Sequence, residues 1–514
     1  MNNHRVFNVR LACTWRLCPV VPVIGIVLVI AKAALGDSAT WKMRPTSGDW
    51  NTAANWTPET VPNGPTDIAT FDVSNTTDVS VSEIVFLDSM VFNPGASVYH
   101  IGLHGALEGT GLINNSGVIQ NIDSVDGSDF GFIGNATAGN GVIYTNNGEV
   151  PPLGFATVFN DTSNAGSATF INKGDSAGVE AAVMFFLDST SASNSTIINQ
   201  SGDTYGAITQ FEDSATAASS TITVYPGALL SFRNSATGAT STLIADGGTI
   251  SFGGFTTGEL SRIELLDGGV LNIMAHKNTV MAIGSLEGES SSQVELGKRQ
   301  LTIGGNGLST RFDGLIKDDA LQMGSVVKTG SETLTLTHAN SYGAGTTITG
   351  GTLIAQAAIG SATGTGPVQV NAGTLGGTGN VTGAVTIGTG TGPRAFLAPG
   401  VNGPGTLSIS NTLTFKSDGS YKYELGLTPH PRADQVIANG VTIEPGARFL
   451  LRTKGNQTLP LGTVFTVISN SAGTPISGAF ANLPDGSTFT LGNNTFQVSY
   501  EGGDGNDLTL TVVN

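Results

Sequence analysis

Past residue 36 the chain has no cysteine; its two, Cys13 and Cys18, both precede that point. The remaining residues are therefore not held by a disulfide framework, and a core large enough to do without one is required. Charge is also scarce, at 12% of residues, about half the usual share. Bases are scarcer still. Residues 37–514 carry 18 Lys and Arg against 39 Asp and Glu, a net charge of −21. Nucleic acid and anionic bilayers are bound through basic footprints, so both are excluded as expected partners; the balance favours solubility and is compatible with divalent cations. After the N-terminus no apolar run approaches the roughly 20 residues that a membrane helix needs, and no stretch has helical periodicity.

What is present is glycine, 71 residues of it, set between short alternating runs of Val, Ile and Thr. Disordered chains are poor in β-branched residues, so this pattern predicts an all-β, turn-rich protein. Residues 1–36 are of another kind. Arg5, Arg10 and Arg16 precede the uncharged run Leu17–Ala31, and small residues follow at Ala33, Ala34 and Gly36. This is the layout of a secretory signal peptide with Asp37 as the mature N-terminus; the alternative is an uncleaved N-terminal anchor.

Trp41, Trp50 and Trp56 fall together in residues 37–75. They read as a hydrophobic cap on the open end of a stacked β structure, with an exposed sugar-stacking platform as the competing use of indole. Between 159 and 248 four segments align, beginning at Phe159, Phe186, Phe211 and Phe232 and sharing Thr169, Thr196, Thr221 and Thr242. A strand-patterned repeat of 20–30 residues without helix predicts a β-solenoid, the Phe forming an inward ladder and Asp161, Asp188, Asp213 and Asn234 a turn position. The triplet Gly-Thr-Leu recurs at 351–353, 373–375 and 405–407, again with coil-like spacing followed by an insertion. Longer strand patterns then mark 418–514 as an antiparallel cap with hairpin turns at 492–494 and 502–506. The expected organisation is a signal peptide (1–36), a Trp-bearing cap (37–75), β-helix repeats (76–417) and the C-terminal cap (418–514).

Candidate chemistry is thin. Gly174-Asp-Ser176-Ala-Gly178 matches a nucleophile elbow in letters, but a strand pattern rather than a helix follows it. His100, His104, His276, His338 and His430 are scattered, and His100 and His104, four apart outside a helix, do not share a face. The paired acid Asp318-Asp319 reads as a solvated turn. No cofactor is expected. Calcium would be sought in two turns, Asp123–Asp129 and Gly502–Asp507; the first has the wrong acid spacing, the second lacks the stacked copies that complete such sites.

One stretch, Val327–Leu353, is dense in motif: Lys328-x-Gly330, Thr333-Leu334-Thr-Leu336-Thr337, Ala339-Asn340-x-Tyr342, Gly345-Thr-Thr-Ile348 and Gly351-Thr-Leu353. It resembles the autotransporter-associated β-strand repeat, also called the passenger-associated transport repeat, departing at Glu332, His338 and Ala344, where that family commonly has Gly. The opening TWKMRPTSGDWNTAANW and the closing LPDGSTFTLGNNTFQVSYEGGDGNDLTL are similar to the ends of secreted bacterial proteins carrying the repeat. The resemblance implies a right-handed parallel β-helix passenger, with the repeat (about 325–355) associated with folding and transport. Residues 418–514 lack the alternating strands and aromatic girdles of a membrane barrel, so the resemblance does not extend to a translocator. Within the motif, Leu334, Leu336 and Ile348 are expected to point inward and His338 to sit at a turn. The expected role is structural or adhesive and non-catalytic: a monomer exported to the surface, medium or periplasm that meets extracellular polysaccharide or cell-surface components. The rival is a β-helix polysaccharide lyase or hydrolase, which would cluster carboxylates on one face.

Overall fold

A computed structural model describes residues 6–7, 26–27, 37–124, 130–148, 157–177, 179–427 and 431–514. Most of the leader and part of the Asp123–Asp129 turn lie outside the described residues. The rest is a β-solenoid of about 16 turns. One sheet runs its length as a parallel ladder, from Asp78–Ser80 to Arg448–Lys454. A second, 14-stranded sheet spans the N-terminal part and ends at Leu315–Lys317. A third, 8-stranded, begins at Val280–Ile283, and a fourth, 7-stranded, at Asn380–Val381.

Alternation puts one side chain in two inside each strand, and in-register stacking then brings like residues together. Thr169, Thr196, Thr221 and Thr242 are consecutive partners on the outer side of the long sheet. Inside, Phe132, Phe159, Phe186, Phe211, Phe232 and Phe252 stack with centroids 4.5, 4.6, 4.5, 5.0 and 4.5 Å apart. Isolated aromatic pairs prefer offset or edge contacts; here the inter-strand repeat of about 4.8 Å imposes face-to-face stacking. Two residues after four of these rings, Asp161, Asp188, Asp213 and Asn234 turn the chain at φ of 58°, 54°, 52° and 54°, a left-handed conformation that Asp and Asn tolerate best.

The coil's third side is narrow, with a single bridge per turn through Thr137, Asn164, Ser191, Thr216, Thr237 and Thr257. Each of these side chains accepts the N–H two residues on, closing the corner without a strand. A second interior ladder is polar. Asn146 donates to Asn172 at 2.5 Å and Asn172 to Asn199 at 2.7 Å, with Thr157 donating to the Asn146 amide oxygen and Thr209 adding a second donor to that of Asn199. Buried amides cost free energy unless paired, so a slip by one coil is penalised and the stacking register is held.

Both ends are closed. Trp41, Trp50 and Trp56 are 1%, 0% and 0% exposed and pack edge-on, Trp56 lying 5.0 Å from Trp41 and 4.7 Å from Trp50. Burying three indoles is worth on the order of 10 kcal/mol. Buried to this degree, the three rings fill the coil interior and offer no exposed face for a sugar. At the other end the antiparallel cap is present but starts later than residue 418. Gly419–Gly426 still pairs parallel with Arg448–Lys454, and Gln435–Ala438 with Val464–Asn470. A short antiparallel pairing ties Gly419–Gly426 to Arg432–Ala433, and extended antiparallel pairing begins where Val464–Asn470 meets Asp507–Val512 and continues through the hairpins at 492–493 and 503–506. Longer strands marked wider coils there, not a change of direction. The third Gly-Thr-Leu, beyond the insertion, does not stack on the other two. Thr352–Ala355 and Gly373–Gly377 are stacked partners, but Thr406–Ile409 lies in the fourth sheet and Ala395–Pro399 takes the next place in the long one.

Candidate binding surface and the transport-type repeat

The motif residues of 326–355 are almost all interior or corner residues. Leu334, Leu336, Ile348 and Leu353 are at most 1% exposed. Leu334 and Leu336 pair with Leu353 and Ala355 of the coil above, and Ile348 stacks between Lys328 and Val370. His338 is in a bend. Gly330 and Gly351 sit at φ +73° and +65°, where a Cβ would fall 1.9 Å from the Gly304 carbonyl oxygen and 2.4 Å from that of Glu332; only glycine lets successive corners stack so closely. Gly345 opens the strand Gly345–Ile348.

Lys328 is the anomaly of that core. It occupies an inward position between Ile303 and Ile348 and is 2% exposed. Its ammonium donates to the Thr329 carbonyl and lies against the Gly304 and Gly351 corners. Burial pushes its pKa below the ordinary lysine value, with Glu332 opposing weakly.

Asn340 and Tyr342 explain why the repeat stands where it does. The 14-stranded sheet has stopped at Leu315–Lys317 and its successor starts only at Asn380–Val381. Across that gap the buried Asn340 side chain accepts the Ile316 N–H at 2.7 Å and donates to the Ala362 carbonyl at 2.7 Å, while its own N–H bonds Ser361. One amide thus replaces a rung of the missing ladder in each direction. Tyr342, fully buried, reaches Thr346 Oγ1 at 2.7 Å, which donates on to the Thr363 carbonyl; burial drives the phenol pKa upward. Asp318 pins the same coil from below, accepting the N–H groups of Gly343 and Gly324, and Asp319 accepts that of Leu321. The paired acid closes turns.

The other candidates resolve similarly. Ser176 bridges Val179 antiparallel across a tight turn, which gives it no place on a strand-to-helix elbow; Gly178 lies outside the described residues, as does His430. Asp507 accepts the Asn470 N–H at 2.8 Å and is 9% exposed, so its carboxylate is already used in the hairpin. Among the described residues no group of three His, Cys, Asp or Glu could hold a metal ion.

Sequence reasoning missed two surface features on the outer side of the long sheet. The first is His100, whose Nε2 lies 2.5 Å from Asp123 Oδ2 and Nδ1 3.7 Å from Asp78 Oδ1. The three come from successive coils and line an open cleft of about 440 Å³ with Ser80, Ser124 and Asn147. Residues 22 to 45 apart in sequence carry no local signal of this; only the stacking of coils brings them together. The nearby His104 is more buried, which lowers its pKa.

The second is a groove of about 500 Å³ above the transport-type repeat. Its floor is Thr333, Thr335, Thr352, Ile354 and Thr374, and residues 399–403 form a wall. The wall is anchored by the Gly377–Gly400 bridge and by Asp434, which accepts N–H groups of Gly405 and Glu424. Burial pushes Asp434 up to about 7 against the pull of those donors.

Residues 326–355 match the family model for the passenger-associated-transport-repeat. No curated protein matches the chain. No helix among the described residues is long and apolar enough to cross a membrane. The chain is thus a β-solenoid carrying a passenger-associated transport repeat, an arrangement that fits an autotransporter passenger.

Proposed function

We propose that this protein is an exported structural or adhesive passenger, non-catalytic, that presents a long rigid β surface at or beyond the cell envelope. The observation that carries the reading is the transport-type repeat built into the solenoid, where its motif residues are spent on coil stacking rather than on a solvent-facing site. A solenoid of this length offers many weak contacts in series, and affinity accumulates through their multiplicity. Cell fractionation tests the location: the chain is expected in the surface or medium fraction, and confinement to the cytoplasm would sink the proposal.

The rival, a carbohydrate-active enzyme, is favoured by one observation, the His100 imidazole set between Asp78 and Asp123. Incubation with acidic and neutral polysaccharides separates the two. The passenger reading expects no new reducing or unsaturated ends; product release abolished by Asp123→Asn would replace it with catalysis at that cleft.

A further inference from the structure

The groove above the repeat differs from the rest of its sheet face in being walled. Thr333, Thr352 and Thr374 form one outward column, and Thr335 and Ile354 the neighbouring one. Hydroxyls therefore recur at the inter-strand spacing of about 4.8 Å, with the threonine methyls and the sec-butyl side chain of Ile354 between them. The backbone beneath is fully engaged in the parallel ladder, so an added peptide strand finds no main-chain partners on this face. The groove is uncharged except at one end. There Glu424 lines it, and Lys422, two residues away on the same strand, lies 3.6 Å over the Phe396 ring and 3.5 Å from Thr374 Oγ1.

From this geometry we infer that the groove binds a neutral, extended glycan chain, laid across the threonine columns with its far end toward Phe396, Lys422 and Glu424. A ligand matching this floor carries its own hydroxyl donors and acceptors at short regular intervals, has apolar ring faces to set on Ile354, and brings no net charge. Uronate polymers and phosphate-bearing ligands meet an acidic chain with no cation in the groove lining itself: Lys422 lies over the Phe396 ring, Arg311 beside Thr335 is paired with Asp313, and Arg452 is the strand neighbour of Glu424. The volume, about 500 Å³, is in the range of small-ligand sites and suits a few sugar units at a time. This inference rests on the adhesive reading and names its partner.

The test uses the full chain and isothermal titration with a β-1,4-linked glucose hexamer, a β-1,4-linked xylose hexamer and, as the acidic probe, a galacturonate hexamer. Two double variants accompany the wild type: Thr352→Val with Thr374→Val in the groove, and Thr196→Val with Thr221→Val on the same face outside it. Valine keeps the branched shape at an outward strand position, so both variants are expected to fold, which circular dichroism checks. The expected result is binding of a neutral hexamer, weakened about tenfold or more by the groove variant and unchanged by the other; two lost hydroxyl contacts of about 1 kcal/mol each give that factor. Absence of neutral-glycan binding, equal binding by the groove variant, or preference for galacturonate would overturn it. Adhesion of the wild type and the groove variant to intact cells is measured in parallel. Adhesion without hexamer binding removes the groove and leaves the passenger role; hexamer binding without adhesion does the reverse.

Discussion

The phenylalanine coils, from Phe132 to Phe252, and the coil of the transport repeat solve one problem with different chemistry. Each must fix the register of a coil on its neighbour. The phenylalanine coils do so by likeness: equivalent rings, amides and hydroxyls fall on equivalent rings, amides and hydroxyls. The repeat does so by unlike parts, because it sits where one sheet has ended and its successor has not begun. There Asn340 serves as rung, Tyr342 as strut, Gly330 and Gly351 as corners and Lys328 as corner filler. The lesson is that a motif recurring in export-associated solenoids is, in this chain, a joint between two segments of the stack.

The contrast can be broken at either side. The largest effect is expected from Phe186→Ala, which opens a cavity between two stacked rings and costs about 3–5 kcal/mol. Because each coil contacts only its neighbours, hydrogen exchange should quicken in the coils of Phe159 and Phe211 and stay unchanged around Phe415. Uniform destabilisation of the whole chain would show that the stack is more cooperative than nearest-neighbour packing allows.

Asn340→Ala is next, at about 2–4 kcal/mol, since it strands the Ile316 N–H and the Ala362 carbonyl in a buried setting. Urea unfolding followed by limited proteolysis should place the new cleavage between residues 317 and 380. Cleavage elsewhere would deny Asn340 its role as the joint. Tyr342→Phe removes one hydroxyl bond while keeping the ring, and a loss of about 1 kcal/mol is expected. A value as large as that for Asn340 would mean that Thr346 and Thr363 depend on the phenol.

The smallest effect, and the sharpest in sign, concerns Lys328. Its folded-state pKa lies below the ordinary value of 10.5, so between those two values the unfolded chain binds more protons than the folded one. Stability attributable to this residue is present above pH 10.5 and is lost as pH falls through the lowered value. Unfolding at a series of pH values should therefore show the wild type gaining on Lys328→Met as pH rises toward 10.5. Parallel pH profiles would place the ammonium in water after all.

Alternating β-branched runs, the 20–30-residue spacing and the aligned Phe, Asp and Thr sufficed to read the solenoid, its aromatic ladder and the turn position after each ring, because stacking makes each coil repeat the pattern of the last. The burial of Leu334, Leu336 and Ile348 was legible for the same reason, as were the hairpins at 492–493 and 503–506. Two local patterns did not by themselves place their strands. The Gly-Thr-Leu at 405–407 repeats the letters of 351–353, yet an intervening strand had taken the equivalent place in the long sheet. The longer strands after 418 still stack in parallel, Gly419–Gly426 on Arg448–Lys454 and Gln435–Ala438 on Val464–Asn470, before extended antiparallel pairing sets in.

Sequence by itself thus determined the fold class and the inward face of each strand, since period-2 alternation and turn residues act within a few positions of one another. Only the tertiary structure decided which coils share a face. It set His100 between Asp78 and Asp123, carried Asn340 across the gap between two sheets, and walled a threonine floor with residues 399–403. Those relations depend on the register each strand takes on the next. Coils of 27, 25 and 21 residues keep Thr169, Thr196, Thr221 and Thr242 aligned, whereas a one-residue slip within a strand turns its side chains to the other face, so no local pattern encodes the result.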